Sequence, residues 1–383
     1  MAVVPNLLRL DIEIIVNRSR RFPENVAVAE ILQPLSRSGT SSGSSHLLSM
    51  KTALPMSLLA LTISIGGAAA RELRPEAINN ASIASIEAEK PKPADPDPAI
   101  VRLQVLLDRA GSSPGEIDGR YGENVNKAVA GFEAMNKLPV DGRLDPEVVS
   151  RLEGNAAIVA PIVESYVVSA EDAKGLVNRI PEDYGEKAKM ESLGYTSVAE
   201  KLSERFHMGI DLVNALNPGS QFAPGDTVWV VTPGPPREGK VKKIEANKKT
   251  GQVLAFAADG SLLAVYPATI GSEDNPAPSG KHKVKGVARM PVYRYDPKRN
   301  FKQGKNDKVL TIPKGPNGPV GTVWIDLTEP TYGIHGTPEP KLIDKVGSHG
   351  CVRLTNWDAE ELAGMVKPGV LVDFVSRSSA TPK

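Results

Sequence analysis

Two proline-rich breaks divide the chain before any other feature does. Residues 91–98 read PKPADPDP and residues 232–239 read TPGPPREG. Alternating prolines fix φ, remove backbone donors and push the preceding residue toward extended backbone, so neither stretch belongs inside a helix or a central strand. The segments between them must bury their own apolar faces. With 383 residues, 34 Gly, 32 Pro and 40% apolar content, the chain reads as two or three modest globular units joined at these breaks. A formal net charge of +1 names no nucleic-acid or membrane partner, and the single Cys excludes an internal disulfide.

Residues 50–70, MKTALPMSLLALTISIGGAAA, set a lysine before a short apolar stretch and close on small residues, the layout of a secretory signal peptide. The apolar part is about a dozen residues, whereas a spanning helix needs ~20. Cleavage after Ala70 is therefore expected, and no stable membrane span. Residues 1–49 form no part of such a signal and stay an unassigned leader, which a start codon placed too early explains; the alternative is a cytoplasmic tail with the segment kept as an anchor. Residues 71–96 read as a linker.

In residues 97–154, Leu103, Leu106, Leu107 and Ala110 recur at helical spacing, as do Val125, Ala128, Val129 and Phe132. A third helix opens at Asp145-Pro146-Glu147, a capping residue, a residue suited to the first turn and an acid for the positive helix end. Asp118-Gly119-Arg120 and Asp141-Gly142-Arg143 form a small echo of turns between these helices. The pattern resembles the three-helix peptidoglycan-binding domain found beside many cell-wall enzymes. Residues 162–232 begin and end on strand-like runs, 163–168 and 226–231, with helices near 197–206 and 211–216 and a break at Asn217-Pro218-Gly219. This order is similar to a LysM glycan-binding unit, with an insert at about 171–194.

Residues 240–376 start as a β-meander, with runs at 242–247, 252–257 and 261–267 separated by Lys249-Thr250-Gly251 and Asp259-Gly260. Shorter strands are expected at 323–325, 332–334 and 370–375, and one helix at 356–366 behind the capping-box-like Thr355-Asn356-Trp357-Asp358. The expected fold class is multidomain: a small all-α bundle, a small α+β LysM-like module, and a mostly β domain with one or two helices.

Chemistry concentrates in the last module. Of five histidines, His335 and His349 lie within sixteen residues of Cys351, the only cysteine. A thiol with a pKa of ~8.5 is mostly protonated at neutral pH, and an imidazole nearby can take its proton and stabilise the thiolate. Gly350 leaves room for a substrate carbonyl and permits a turn that aims the Gly350 and Cys351 amides at an oxyanion. A zinc site of His335, His349 and Cys351 is the chemical rival, although neither C-x-x-C nor H-E-x-x-H occurs. His207 is expected at a helix edge and His282 near a strand, both without acid or Cys neighbours; Trp229, Trp324 and Trp357 read as packing residues.

Ile334-His335-Gly336-Thr337-Pro338, followed by Ser348-His349-Gly350-Cys351-Val352-Arg353-Leu354, resembles the signature of the L,D-transpeptidase catalytic domain. Pro276-Ala277-Pro278-Ser279-Gly280 is similar to that family's proline-glycine loop, and Ile343-Asp344 departs from it where Ile-Gly is more usual. The resemblance implies Cys351 as nucleophile and His335 as proton acceptor and donor. It has Ser348, His349, Gly350, Gly336 and Thr337 line the site, and Arg353 orient it or meet a substrate carboxylate. The implied reaction attacks the carbonyl between the third stem residue and the terminal D-Ala of a peptidoglycan tetrapeptide, releasing D-Ala and leaving a thioester. An amine from a second stem, or the lysine of a wall-anchored lipoprotein, then forms a crosslink, while water gives an L,D-carboxypeptidase. Stem peptides and glycan strands are the expected partners, in the periplasm or cell wall, with no nucleic acid, no metal and no cofactor. Sixteen Lys or Arg against six Asp or Glu in residues 240–314 fit such acidic substrates, or simply a solvated basic face. A non-catalytic wall-binding protein is the other class of function.

Overall fold

The computed structural model describes residues 73–86, 95–154 and 160–377. The leader and the signal-like segment lie outside the described residues. Among the described residues no helix is long and apolar enough to cross a membrane.

The first described segment corrects the reading of residues 71–96 as a linker. Helix α1 (Pro75–Asn79) and a 3₁₀ turn, Ile83–Ser85, lie within it, and Ile78 and Ile83 are fully buried. The Asn79 side chain accepts from the Ile162 and Val163 amides at 2.8 and 2.9 Å and donates to the Val163 carbonyl at 3.0 Å. Two isolated isoleucines set up no periodic pattern, which is why the segment looks structureless in sequence.

Helices α2 (Pro98–Arg109), α3 (Glu123–Met135) and α4 (Pro146–Gly154) form the bundle. Asp97, the last acid of the proline-rich break, caps α2 by accepting from the Ala99 amide at 2.8 Å. Each Asp-Gly-Arg turn is held by a buried side chain from the helix before it. Gln104 accepts from the Asp118 and Gly119 amides, and Glu133 from those of Asp141 and Gly142. Gly119 and Gly142 sit at φ of 71° and 73°, the left-handed geometry for which glycine is suited.

The middle module pairs β1 (Val163–Val167) with β2 (Thr227–Val231) in antiparallel register around α5 (Tyr184–Lys187), α6 (Val198–Arg205) and α7 (Ile210–Leu216). In the last module a nine-stranded sheet runs β5-β4-β3-β13-β7-β10-β11-β12-β6. Its strands are β3 (Lys243–Asn247), β4 (Gln252–Phe256), β5 (Leu262–Pro267), β6 (Thr269–Ile270), β7 (Gly280–Arg289), β10 (Val323–Leu327), β11 (Gly333–His335), β12 (Val352–Arg353) and β13 (Leu371–Val375). A separate hairpin joins β8 (Tyr293–Tyr295) to β9 (Leu310–Ile312), and α8 (Asn356–Met365) packs on β10 and β11. The outermost strands, β5 and β6, are separated only by Ala268, so the sheet must curl until its two edges meet. Strand β7, the longest, is absent from the sequence reading: lysines interrupt its apolar residues, and only Val284 among them is buried.

The three modules are packed together, so the proline-rich breaks act as corners rather than loose joints. The Ser113 amide donates to the Val265 carbonyl and the Val265 amide to that of Gly111, each at 2.9 Å, stitching the bundle to β5. His207 is corrected too: it has an acid neighbour, with Nδ1 3.1 Å from Asp108 on α2, and its ring stacks on Trp357 of α8 at 5.3 Å. His282 likewise meets an acid, with Nδ1 3.5 Å from Glu329. Both pairings join residues far apart in sequence.

Between α6 and α8, Asn356 Nδ2 donates to both Glu204 oxygens at 2.9 and 3.1 Å, while its Oδ1 accepts from the Thr322 amide at 3.1 Å. Burial pushes the Glu204 carboxyl up to about 8, against the bonds from Asn356 and Tyr195 that favour its charged form. Between an unfolded value near 4.5 and that folded value, the native state keeps a proton that the unfolded chain has released. Stability should therefore fall as pH rises through this window and level off above it. E204Q keeps the shape without the ionisation. Thermal melts at pH 5, 7 and 9 should show a shallower decline for E204Q than for the natural chain, and parallel declines would contradict this assignment.

Candidate active site

The site is built where β11 and β12 run parallel, with Ile334 opposite Val352 and His335 opposite Arg353. Paired residues of parallel strands face the same side, so His335 and Arg353 share a face. Cys351 lies one residue before β12. Its thiol is held at the start of β11, by the Gly333 amide and by the Thr331 carbonyl at 3.8 Å. Thr331 is a β-branched residue at φ 73°, an unusual backbone state of the kind concentrated at functional sites.

His335 is buried and tightly oriented. Its Nδ1 is 2.7 Å from the Gly336 carbonyl, which can only accept, so Nδ1 carries the proton and Nε2 presents a lone pair. Trp324, opposite His335 in the β10–β11 ladder, stacks on the imidazole at 5.5 Å. The indole covers Gly333, where a Cβ would come within 2.6 Å of the ring. Gly336 and Thr337 are buried beneath, with Gly336 pressed against Asn356 so closely that a Cβ would meet Oδ1 at 2.2 Å.

The loop from 336 to 351 is fixed from the far edge of the sheet. Ser348 accepts from the Gly271 amide at 2.9 Å and donates to the Cys351 carbonyl at 2.7 Å, while its own amide donates to the Gly271 carbonyl. Ser348 is buried and its hydroxyl is fully engaged, so it pins the loop instead of lining the site as the resemblance implies. Gly350 has φ 101° and sits between the Tyr332 ring and the Pro276 carbonyl, part of the proline-glycine loop. A side chain there would strike Tyr332 at 2.8 Å.

His349 stacks on Phe301 at 3.8 Å, and burial and the Arg353 charge lower its imidazolium. Phe301 lies in the connection of the β8–β9 hairpin, and Tyr184 of the middle-module insert packs edge-on against Tyr295, Phe301 and Tyr293 at 5.2 to 6.1 Å. The Tyr184 amide donates to Gln303 at 3.0 Å, Asn306 donates to Asp183 at 2.8 Å, and the Leu193 amide donates to the Lys314 carbonyl at 3.0 Å. The insert thus braces the hairpin beside the cysteine. Burial, then Tyr184 and Cys351, push the Tyr293 phenol upward. No residue pattern in the insert announces this role.

The electrostatics favour the neutral forms of both groups. Burial pushes the Cys351 thiol up to about 11, outweighing the Gly333 amide and the Arg353 charge. Burial, then Arg353, brings the His335 imidazolium down to about 4, while the Gly336 carbonyl favours the charged ring. Both shifts favour a thiol and a neutral imidazole at neutral pH. Among the described residues no three His, Cys, Asp or Glu side chains are grouped as metal ligands.

Residues 241–373 match the family described as "L,D-transpeptidase catalytic domain", and residues 96–152 the one described as "Putative peptidoglycan binding domain". "Putative L,D-transpeptidase YkuD" of Bacillus licheniformis is 29% identical over 156 residues, 41% of this chain and 78% of that one. "Putative L,D-transpeptidase YqjB" of Bacillus subtilis is 30% identical over 131 residues, 33% of this chain and 66% of that one. Among solved structures, the L,D-transpeptidase of Xylanimonas cellulosilytica aligns over 74% of this chain and 96% of its own, with TM-score 0.33 and 16% identity. L,D-transpeptidase 1 of Mycobacterium tuberculosis aligns over 39% and 66%, with TM-score 0.27 and 18% identity. The module that holds the cysteine and both of its neighbouring histidines therefore matches the L,D-transpeptidase catalytic-domain family, and a stretch matching a peptidoglycan-binding domain precedes it in the chain.

Proposed function

We propose that this chain crosslinks peptidoglycan by acyl transfer through a thioester on Cys351, with His335 as its base. The observation that carries this reading is the committed tautomer of His335. With Nδ1 bonded to the Gly336 carbonyl, Nε2 is left to act as the base, and His335 pairs in the β11–β12 register with Arg353, two residues beyond Cys351.

In the first step the Cys351 proton passes to His335 Nε2 as Sγ attacks the carbonyl between the third stem residue and the terminal D-Ala. The imidazolium then protonates the departing D-Ala amine as the thioester forms. In the second step an amine from another stem attacks the thioester and gives its proton to His335, and the thiol is regenerated. The Gly350 turn aims the Gly350 and Cys351 amides at the developing oxyanion, and Arg353 adds positive charge where negative charge accumulates. The same Arg353 charge disfavours imidazolium, so His335 returns its proton readily.

The helical bundle and the LysM-like module hold the enzyme to its polymeric substrate. Val167 and Trp229, both exposed, face one side of the β1–β2 pair and offer an apolar surface to a glycan strand. The signal-like residues 50–70 fit export to the wall. A lipoprotein lysine is an alternative amine acceptor, and water an alternative that trims stems.

Incubation with purified tetrapeptide muropeptides tests this directly. The natural chain should release D-Ala and form dimers, and Cys351→Ala should lose at least about 10³-fold in rate. D-Ala release without dimers would make it a carboxypeptidase, and equal products from both proteins would remove Cys351 from the mechanism. The proton inventory makes a second prediction. Because the base form of His335 persists down to about 4, the acid limb of kcat/KM should lie near pH 4 instead of near 6.5. Iodoacetamide should alkylate Cys351 faster as pH rises toward about 11. An acid limb between pH 6 and 7 would refute the neutral pair.

A further inference from the structure

Asp344 occupies the one position where the catalytic motif departs from the pattern it resembles, and it has φ 61°, the left-handed state that suits glycine. Asp tolerates that state better than most side chains, and here the carboxylate has a partner on another module. Lys127 Nζ of α3 pairs with Asp344 Oδ2 and also lies 3.2 Å from Glu123. Both members of the pair are largely buried, with side-chain exposures of 13% for Lys127 and 21% for Asp344. The carboxylate fills the space beside Gly251, where a Cβ would meet Oδ1 at 2.1 Å.

The same stretch of loop is tied on both sides. The Asp344 amide donates to Thr269 Oγ1 at 2.8 Å, and Asn124 of α3 donates to the Ile343 carbonyl at 3.4 Å. Four residues later Ser348 bonds to the Cys351 carbonyl, so the position of Asp344 is transmitted to the sulfur along a short, anchored segment. Beside the pair the two modules line an open pocket of about 100 Å³, whose charged residues include Glu116, Asp118, Arg120, Lys341 and Lys345. Asp344 lines that pocket and meets Lys127 of α3.

We infer that Lys127, on the peptidoglycan-binding domain, is a positioning residue for Cys351, acting through Asp344 to set the loop that carries the nucleophile. The inference rests on the reading of Cys351 as nucleophile. Removing the lysine strands a largely buried carboxylate, which must move toward water and take the loop with it. Replacing Asp344 with glycine removes that need, because glycine holds the backbone at φ 61° and leaves no charge to strand.

The test uses the full chain with K127M, D344G and the double variant K127M/D344G. Three quantities are measured: D-Ala release from tetrapeptide muropeptides, the rate of Cys351 alkylation by iodoacetamide, and the melting temperature. K127M should lower kcat and the alkylation rate by about tenfold with KM within about twofold, and K127M/D344G should recover to within about threefold of the natural chain. A pair that only adds stability would show the loss and its recovery in the melting temperature alone, with kcat and the alkylation rate unmoved. A K127M variant that melts earlier but keeps its kcat and alkylation rate overturns the inference, as does a double variant no better than K127M. If the natural chain releases no D-Ala, the functional reading fails, and the alkylation rates still decide the positioning role.

Discussion

The parallel pairing of β11 with β12 is the constraint from which the site follows. Two parallel strands cannot be joined by a tight turn, so the chain must travel from His335 to Cys351 through a long loop before returning beside its starting strand. Such a loop has little core of its own. It is held in place by bonds to its surroundings, at Thr269, Gly271 and Asn124, and by the buried side of α8. The glycines in and around it answer close approaches: Gly336 admits Asn356, Gly333 admits Trp324, and Gly350 fits between Tyr332 and Pro276. The chemistry of the sulfur is therefore as well defined as the weakest of those attachments.

The modules between the proline-rich breaks are not independent of one another. Buried polar seams cross every boundary. Glu204 serves Asn356 at the start of α8, and Asp108 and Trp357 meet on His207. Buried groups of this kind must be satisfied wherever they sit, so the catalytic module depends on side chains supplied from outside its own sequence range. The insert at 171–194 extends the same dependence to the hairpin that flanks Cys351.

Much of this was legible in sequence because it is local. The helices of the bundle announce themselves by spacing, α8 by its Thr355 cap, and the meander by alternation broken at Asp259-Gly260. The cysteine and histidine of the site stand out by scarcity and by their glycine neighbours. What stayed hidden is non-local. Strand β7 gains its place from partners on both sides, since its lysines blur any alternation. Ser348 resembles a site-lining hydroxyl until its partners are known, and Trp324 resembles core packing until the ring beneath it proves to be His335. Tyr184 and Lys127 lie in other modules, where nothing in their immediate sequence points to the thiol.

A sulfur kept in its protonated form has a consequence beyond acyl transfer. Peroxide and stray disulfides react with the anion far faster than with the neutral group. Holding Cys351 above its ordinary ionisation range keeps the reactive form scarce until a bound substrate is attacked and the proton passes to the base. The burial that slows resting chemistry at this atom is, on that account, also a shield against oxidative inactivation.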